Sequence, residues 1–269
     1  MSVPFDLKDK VCLVTGGAAG IGAAVVRTFL MENARAVVFL DVAEREGFTL
    51  EAELLTRFGP LRAKFIKCDV SDEETLSDAF KQVLNKYTKL DVVVNSAAVL
   101  GTGQSFKRTI DINFTGTVAS TMRAVEVMGK DNGGNGGTVL NISSLLALKQ
   151  HPHLPVYAAT KTAVLYFSNA FGAELHYSKT QVRVLTVCLG PTDTAILQRL
   201  NLEHFNKDGA CLTPTPERQK VESAATGILE TIYKGTSGST WMIANDKPAV
   251  EITHIISKGF ETLSNLPKD

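Results

Sequence analysis

Val11-Cys12-Leu13-Val14-Thr15-Gly16-Gly17-Ala18-Ala19-Gly20-Ile21-Gly22 is the stretch on which the fold turns. Its first five residues read as a buried strand, and Ala23 to Met31 beyond the glycines has the apolar spacing of a helix. Glycines at a strand-to-helix turn let the backbone come close to a pyrophosphate, whose charge is met by the amides and dipole of the helix N-terminus. A glycine run alone says little. One that follows a first strand and opens a helix makes a dinucleotide the expected occupant, with Gly16, Gly20, Ile21 and Gly22 as its contacts.

Outward from this turn the same alternation continues. Apolar runs at Val11–Thr15, Ala36–Asp41, Ala63–Cys68, Val92–Asn95, Thr138–Ile142 and Val182–Cys188 are separated by segments with helical periodicity. Runs apolar on both faces mean parallel strands buried between helix layers. Six strands are expected, with a seventh near Thr240–Ala244, and no linker or repeat divides the chain. The expectation is one α/β domain over 1–269, a doubly wound parallel sheet of about seven strands flanked by helices.

Ligands of such sheets gather at the carboxyl ends of the strands. Asp41 ends the second strand, where a carboxylate accepts hydrogen bonds from ribose hydroxyls and repels a 2′-phosphate; no Arg or Lys in the glycine turn offsets it, and Val42 follows. NAD is therefore expected over NADP. Cys68-Asp69-Val70 ends the third strand, and Asp69 has two readings: a contact to the adenine amino group, or the cap of a helix beginning near Glu73. At the fourth strand end, Asn95-Ser96-Ala97-Ala98 leaves room for a cofactor, with Asn95 and Ala97 as contacts. Asn113 falls inside a helix expected from Ser105 to Met128, where an amide competes for backbone bonds; it has either a functional reason or an exposed polar face.

Lys130-Asp131-Asn132-Gly133-Gly134-Asn135-Gly136-Gly137 leads into a strand and offers no helix N-terminus, so it reads as a flexible turn. Ser143 and Ser144 follow that strand. Thirteen residues later comes Val156-Tyr157-Ala158-Ala159-Thr160-Lys161, where a tyrosine and a lysine one turn apart put an ammonium beside a phenol. A nearby cation favours the phenolate, which can take a proton from an alcohol.

Composition narrows the partners. Lys plus Arg and Asp plus Glu number 28 each, with no basic run or acidic tail, so nucleic acid and anionic membranes are disfavoured relative to small ligands. Apolar residues make up 44% of the chain, ample for a core. Cys12, Cys68, Cys188 and Cys211 form no CxxC pair and read as reduced and structural. No signal pattern or membrane span stands out, and a cytoplasmic protein is expected.

Thr15-Gly-x3-Gly-x-Gly22, Asp41, Asp69, Asn113, Ser144 and Tyr157-x3-Lys161 together resemble the conventional short-chain dehydrogenase/reductase family over nearly the whole chain. Within it, Met128–Gly137, Asn141–Ser144, Pro155–Tyr157 and Thr194–Leu197 are similar to NAD-dependent hydroxyprostaglandin dehydrogenases and insect alcohol dehydrogenases. The resemblance implies a Rossmann fold, NAD as cofactor and transfer of a hydride from an alcohol. It implies Tyr157 as general base, Lys161 lowering its pKa and holding the nicotinamide ribose, and Ser144 positioning the substrate oxygen. Asn113 would support a proton-relaying water, and Gly190, Thr192 and Thr194 would hold the nicotinamide amide. Three positions depart from the pattern. Ala98 replaces a glycine and adds a methyl beside the cofactor, Leu189-Gly190-Pro191 replaces Pro-Gly, and Leu154 stands where the hydroxyprostaglandin enzymes carry a glutamine.

The segment from Ala195 to Thr213, within a lid spanning about 190–220, carries Ile196, Leu197, Leu200, Leu202, Phe205 and Leu212, apolar residues that suit a secondary or lipid-like alcohol or equally an ordinary core. Ser144, Leu154 and Leu197 are the expected substrate contacts. His151 and His153 flank Pro152 near the site mouth and have two readings, substrate contacts or solvent-exposed loop residues; they are too few for a metal. Trp241 is expected to pack the last strand. Resemblance implies a homodimer or homotetramer through the long helices near Ser105–Met128 and Tyr157–Ser178; the tail from about 245 to 269 lines the pocket or reaches a neighbour. Two rival functions stand: an NADP-dependent carbonyl reductase and a non-catalytic NAD-binding protein.

Overall fold

The computed structural model describes residues 5–101, 105–197 and 217–265. Seven parallel strands form one sheet in the order β3-β2-β1-β4-β5-β6-β7: β1 Val11–Thr15, β2 Ala36–Asp41, β3 Ala63–Lys67, β4 Val92–Asn95, β5 Gly137–Ser144, β6 Val182–Leu189 and β7 Thr240–Ile243. An eighth, β8 Val250–Glu251, pairs antiparallel with β7 and was not expected. Every residue of β1 and β4 is buried, the all-apolar pattern of a sheet covered on both faces.

Two helix layers do the covering. On one face α1 Gly20–Met31, α2 Glu44–Phe58 and α8 Val221–Lys234 close over Phe29, Phe39, Phe65, Ile228 and Ile232. Across the sheet, α3 Glu73–Tyr87 and α5 Gly116–Met128 close over Phe80, Val83, Leu76 and Met128. Burial of each such side chain contributes about 1.5–3 kcal/mol, so these two clusters hold the layers to the sheet. Cys12, Cys68 and Cys188 are buried free thiols within this fabric; Cys211 lies outside the described residues. Trp241 is buried in β7, its indole N–H donating to Ser239 Oγ at 3.0 Å.

Two expected long helices are each divided. Between α4 Phe106–Ile110 and α5, residues Asp111–Thr115 form a π-helical turn. Past α6 Pro155–Phe171 the chain breaks at Gly172-Ala173 and resumes as α7 Glu174–Thr180. A side chain at Gly172 would meet Gly238 backbone, so glycine stands at the break. The 130–137 segment is a turn, but a braced rather than a flexible one: Lys130–Asn132 form a 3₁₀ turn, and the Gly134 and Gly136 N–H groups donate to the Gly129 and Met128 carbonyls. α9 Thr253–Ser264 follows β8 and has no buried residue. No described helix is long and apolar enough to cross a membrane.

Strand order reverses between β1 and β4, and there the carboxyl ends diverge into a crevice. β4 stops at Asn95, opposite Asn141, whereas β5 runs on through Ile142 and Ser143 to Ser144. That overrun carries Ser144 past the end of its neighbour and into the crevice.

Candidate active site

A cleft of about 400 Å³ occupies this crevice. At one end lies the glycine turn. Gly16 adopts φ +65°, and a Cβ there would sit 2.7 Å from Ala97 Cα; a Cβ on Gly22 would overlap the Gly16 carbonyl. The backbone of α1 can thus close on β1 only without side chains, leaving the amides of Gly20, Ile21 and Gly22 at the cleft. The helix begins at Gly20, three residues earlier than its apolar spacing suggests. Thr15 Oγ1 accepts hydrogen bonds from the Ser96 and Ala97 amides at 3.1 and 3.2 Å, tying the β1 and β4 ends together beneath the turn.

Asp41 reaches the cleft from β2, its two oxygens accepting the Ala18 and Ala43 amides at 3.1 and 3.0 Å. These bonds hold the carboxylate still while each oxygen keeps lone pairs for a ribose. Asp69 and Val70 line the cleft beyond β3. Of the two readings of Asp69 the cap is wrong: Asp72 caps α3, accepting the Glu74 and Thr75 amides. Asp69 instead accepts from the Ser71 amide and hydroxyl at 3.0 and 2.6 Å. Burial works against its charge, but those two bonds and the Arg108 guanidinium prevail and lower its pKa. Arg108, on α4, also lines the cleft and carried no signal in the sequence.

Asn95 departs from expectation. Its side chain turns into the protein, donating to Asn141 Oδ1 at 2.8 Å and Thr121 Oγ1 at 3.1 Å, and it does not line the cleft. Asn141 in turn donates to Ser168 of α6. The network joins β4, β5, α5 and α6, so the amide acts as a structural tie. Ala97 and Ala98 do face the cleft.

Asn113 is fully buried, which removes the exposed-face reading. Its Oδ1 accepts the Val99 amide at 2.8 Å while its Nδ2 donates to the Val99 carbonyl at 2.9 Å and Thr160 Oγ1 at 3.2 Å. Thr160 donates to the Tyr157 carbonyl at 2.7 Å. The side-chain amide is therefore committed to fixing the strand exit and the tyrosine helix. It sits in the π-helical turn, the kind of wide turn that recurs at functional sites.

α6 opens with Pro155 at its first turn, where a missing N–H costs nothing. Tyr157 follows in that turn and lines the cleft with Ser144 and Lys161. The helix is seated on β5 by Ser143 Oγ donating to the Lys161 carbonyl at 2.7 Å and by Lys161 Nζ donating to the Ile142 carbonyl at 2.9 Å. Lys161 Nζ lies 5.8 Å from the Tyr157 ring centroid. Expectation and geometry part here over acidity. Burial pushes the phenol up to about 12, opposed only by its hydrogen bond to Ser144. Burial likewise brings the Lys161 ammonium down to about 8. In this site desolvation sets the direction for both groups.

Beyond β6 the chain keeps sheet register through Leu189, and the Gly190 amide donates to the Ile243 carbonyl at 2.8 Å. Thr192 Oγ1 donates to the Gly190 carbonyl and accepts from buried Gln219, so its hydroxyl braces the turn. Thr194 stands over Gly20, and Gly190, Thr192 and Thr194 all line the cleft.

The far wall comes from Leu145, Leu146, Leu154, Ile196 and Leu197, on the 3₁₀ turns Leu145–Ala147 and Ala195–Leu197 and the loop before α6. Leu154 and Leu197, the residues read as substrate contacts, thus line the cleft. His151, half-buried, also lines this wall, the substrate side of its two readings. Leu200, Leu202, Phe205 and Leu212 lie outside the described residues.

The family model for short chain dehydrogenases matches residues 10–204. The chain belongs to that family. Relatives include human 15-hydroxyprostaglandin dehydrogenase [NAD(+)], 34% identical over 199 residues and spanning 74% of each chain. The bovine enzyme of the same name is 36% identical over the same length. Alcohol dehydrogenase 2 of Ceratitis cosyra is 26% identical over 254 residues, covering 93% of this chain and 96% of that one. Among solved structures, a short-chain type dehydrogenase/reductase from Mycobacterium ulcerans superposes with TM-score 0.75 at 23% identity, over 98% of this chain and all of the other. As a member of this family the chain is an oxidoreductase with a nucleotide cofactor.

Proposed function

We propose that this protein oxidises an apolar alcohol, secondary or lipid-like, with NAD+, and that Tyr157 is the general base. One observation carries the reading: Ser144, Tyr157 and Lys161 line the same cleft as the glycine turn and Asp41. The residues fit a dinucleotide. The glycine cradle would hold the pyrophosphate, Asp41 the adenosine ribose, Asp69 and Val70 the adenine surroundings, Lys161 the second ribose, and Gly190, Thr192 and Thr194 the carboxamide. When bound, NAD+ supplies the hydride acceptor.

The chain's own groups do the rest. Ser144 holds the carbinol oxygen beside the phenol, whose charged form its hydroxyl favours. Tyr157 removes the hydroxyl proton as the carbinol hydride leaves. Because burial holds the phenol high, base strength requires positive charge in the cleft, from the Lys161 ammonium and the nicotinamide. Asn113 acts as a positioning residue, holding Val99 and, through Thr160, the first turn of α6. The apolar far wall suits a hydrocarbon-rich substrate. A homodimer or homotetramer in the cytoplasm completes the proposal; exposed Phe106, Ile110, Met122 and Tyr166 on α4, α5 and α6 offer apolar contact surface.

The NADP-dependent carbonyl reductase reading has Arg108 in its favour, a cation at the adenosine end. Asp41 opposes it. Reduction of NAD+ and of NADP+, followed across alcohols from short secondary alkanols to retinoids, hydroxy fatty acids and prostaglandins, tests the proposal. Turnover with NAD+ and an apolar alcohol is expected; a preference for NADP+, or bound NAD+ with no alcohol oxidised, would overturn it.

A further inference from the structure

Resting on the functional reading above, we infer that His151 sets substrate specificity by hydrogen-bonding a second, uncharged oxygen, a hydroxyl or ketone, on an otherwise apolar alcohol. Its Nδ1 is shielded from solvent and has no hydrogen-bond partner among the described residues. The residue nevertheless lines the cleft, in a wall whose other members are Leu145, Leu146, Leu154, Ile196 and Leu197. A shielded ring nitrogen without a partner is unfavourable, and a half-turn about Cβ–Cγ, which keeps the ring plane, is what carries Nδ1 towards a ligand that supplies the partner the free protein forgoes. The ring is not loose: it packs edge-on against His153 at a centroid distance of 5.8 Å and an angle of 74°. Ser144 and Tyr157 are engaged at the reacting end, so His151 addresses a different atom of the substrate.

The chemistry of the oxygen follows from the ring's surroundings. Burial, with the charges of His153 and Lys149 adding to it, lowers the His151 pKa and favours the neutral imidazole. A neutral ring offers one donor and one acceptor, which matches a hydroxyl or ketone, whereas a carboxylate calls for two donors. Leu154 cannot serve, having no polar atom.

The test compares kcat/KM with NAD+ for octan-2-ol and for chain-matched diols and hydroxyketones whose second oxygen is stepped along the chain. The native enzyme should prefer at least one of them over octan-2-ol by about tenfold, the difference residing in KM. In His151→Leu the ratio should collapse towards one, and His151→Asn, whose amide retains a donor and an acceptor, should keep part of it. No preference at any spacing, or a preference that His151→Leu retains, overturns the inference while leaving the alcohol dehydrogenase reading intact. Failure of the native enzyme to oxidise any alcohol although NAD+ binds defeats that reading and this inference together.

Discussion

The wall of the cleft built from Gly16–Gly22 and the wall built from Leu145–Leu154 and Ala195–Leu197 differ in what gives them shape. In the first, backbone lies against backbone, and a single Cβ at Gly16 or Gly22 would collide with main chain. In the second, side chains on short turns and a loop make the surface. A wall of backbone is all but intolerant of substitution, while a wall of side chains can change shape with the fold untouched. The reaction is tied to the first and to the Ser144, Tyr157 and Lys161 group between them; choice of alcohol belongs to the second.

Breaking the centre should have the largest effect. Tyr157→Phe is expected to lower turnover by roughly a thousandfold while NAD binding, measured by titration, changes little. Loss of binding with the activity would instead make Tyr157 a cofactor residue. On the backbone wall, Gly22→Ala should cost about 1–3 kcal/mol in denaturant unfolding and weaken NAD binding, because the methyl has no room to relax into. Leu154→Ala in the opposite wall should leave NAD affinity unaltered and shift the preferred alcohol, which sharpens the contrast.

Acidity supplies the next test. Oxidation needs the phenolate, and the phenol is held up to about 12 in the cofactor-free protein. Alcohol oxidation should therefore rise with pH from neutrality, by up to about tenfold per unit below about 8 and less steeply above, where the Lys161 ammonium that favours the phenolate is lost, and ketone reduction should not rise. Flat oxidation across the alkaline range would point to another base. Asp41→Ala should reduce the NAD over NADP preference by about tenfold, read from the ratio of kcat/KM values, by removing the carboxylate's hydrogen bonds and its repulsion. The smallest effect is expected of Ala98→Gly, a tightening of NAD binding of about twofold to threefold from removal of one methyl in the cleft.

These contrasts also account for what could be read in the residues alone. The central strands β1 and β4 were legible because burial on both faces writes an unbroken apolar run, and the glycine turn because only glycine suits its close approaches. β8 was not, being two exposed residues paired to an edge. The π-helical turn at Asp111–Thr115 escaped because one extra residue per turn barely alters apolar spacing. Asn113, however, was flagged by its awkward chemistry, and its commitment to Val99 and Thr160 explains why an amide stands there. Asn95 turned from the expected cleft to the interior, and nothing in the residues chose between the two readings of His151, since side-chain direction at a strand end or in a loop depends on neighbours distant in sequence. Spacing likewise showed Lys161 near Tyr157 but not the desolvation that dominates both.

The most direct measurement is single-turnover oxidation of a carbinol-deuterated alcohol by the NAD+-loaded protein, with the reduced cofactor analysed by mass. The account predicts that the deuterium arrives on the nicotinamide, that the rate shows a primary isotope effect, and that Tyr157→Phe abolishes the transfer while retaining NAD+. Reduced cofactor without the label, or undiminished transfer in Tyr157→Phe, would contradict it.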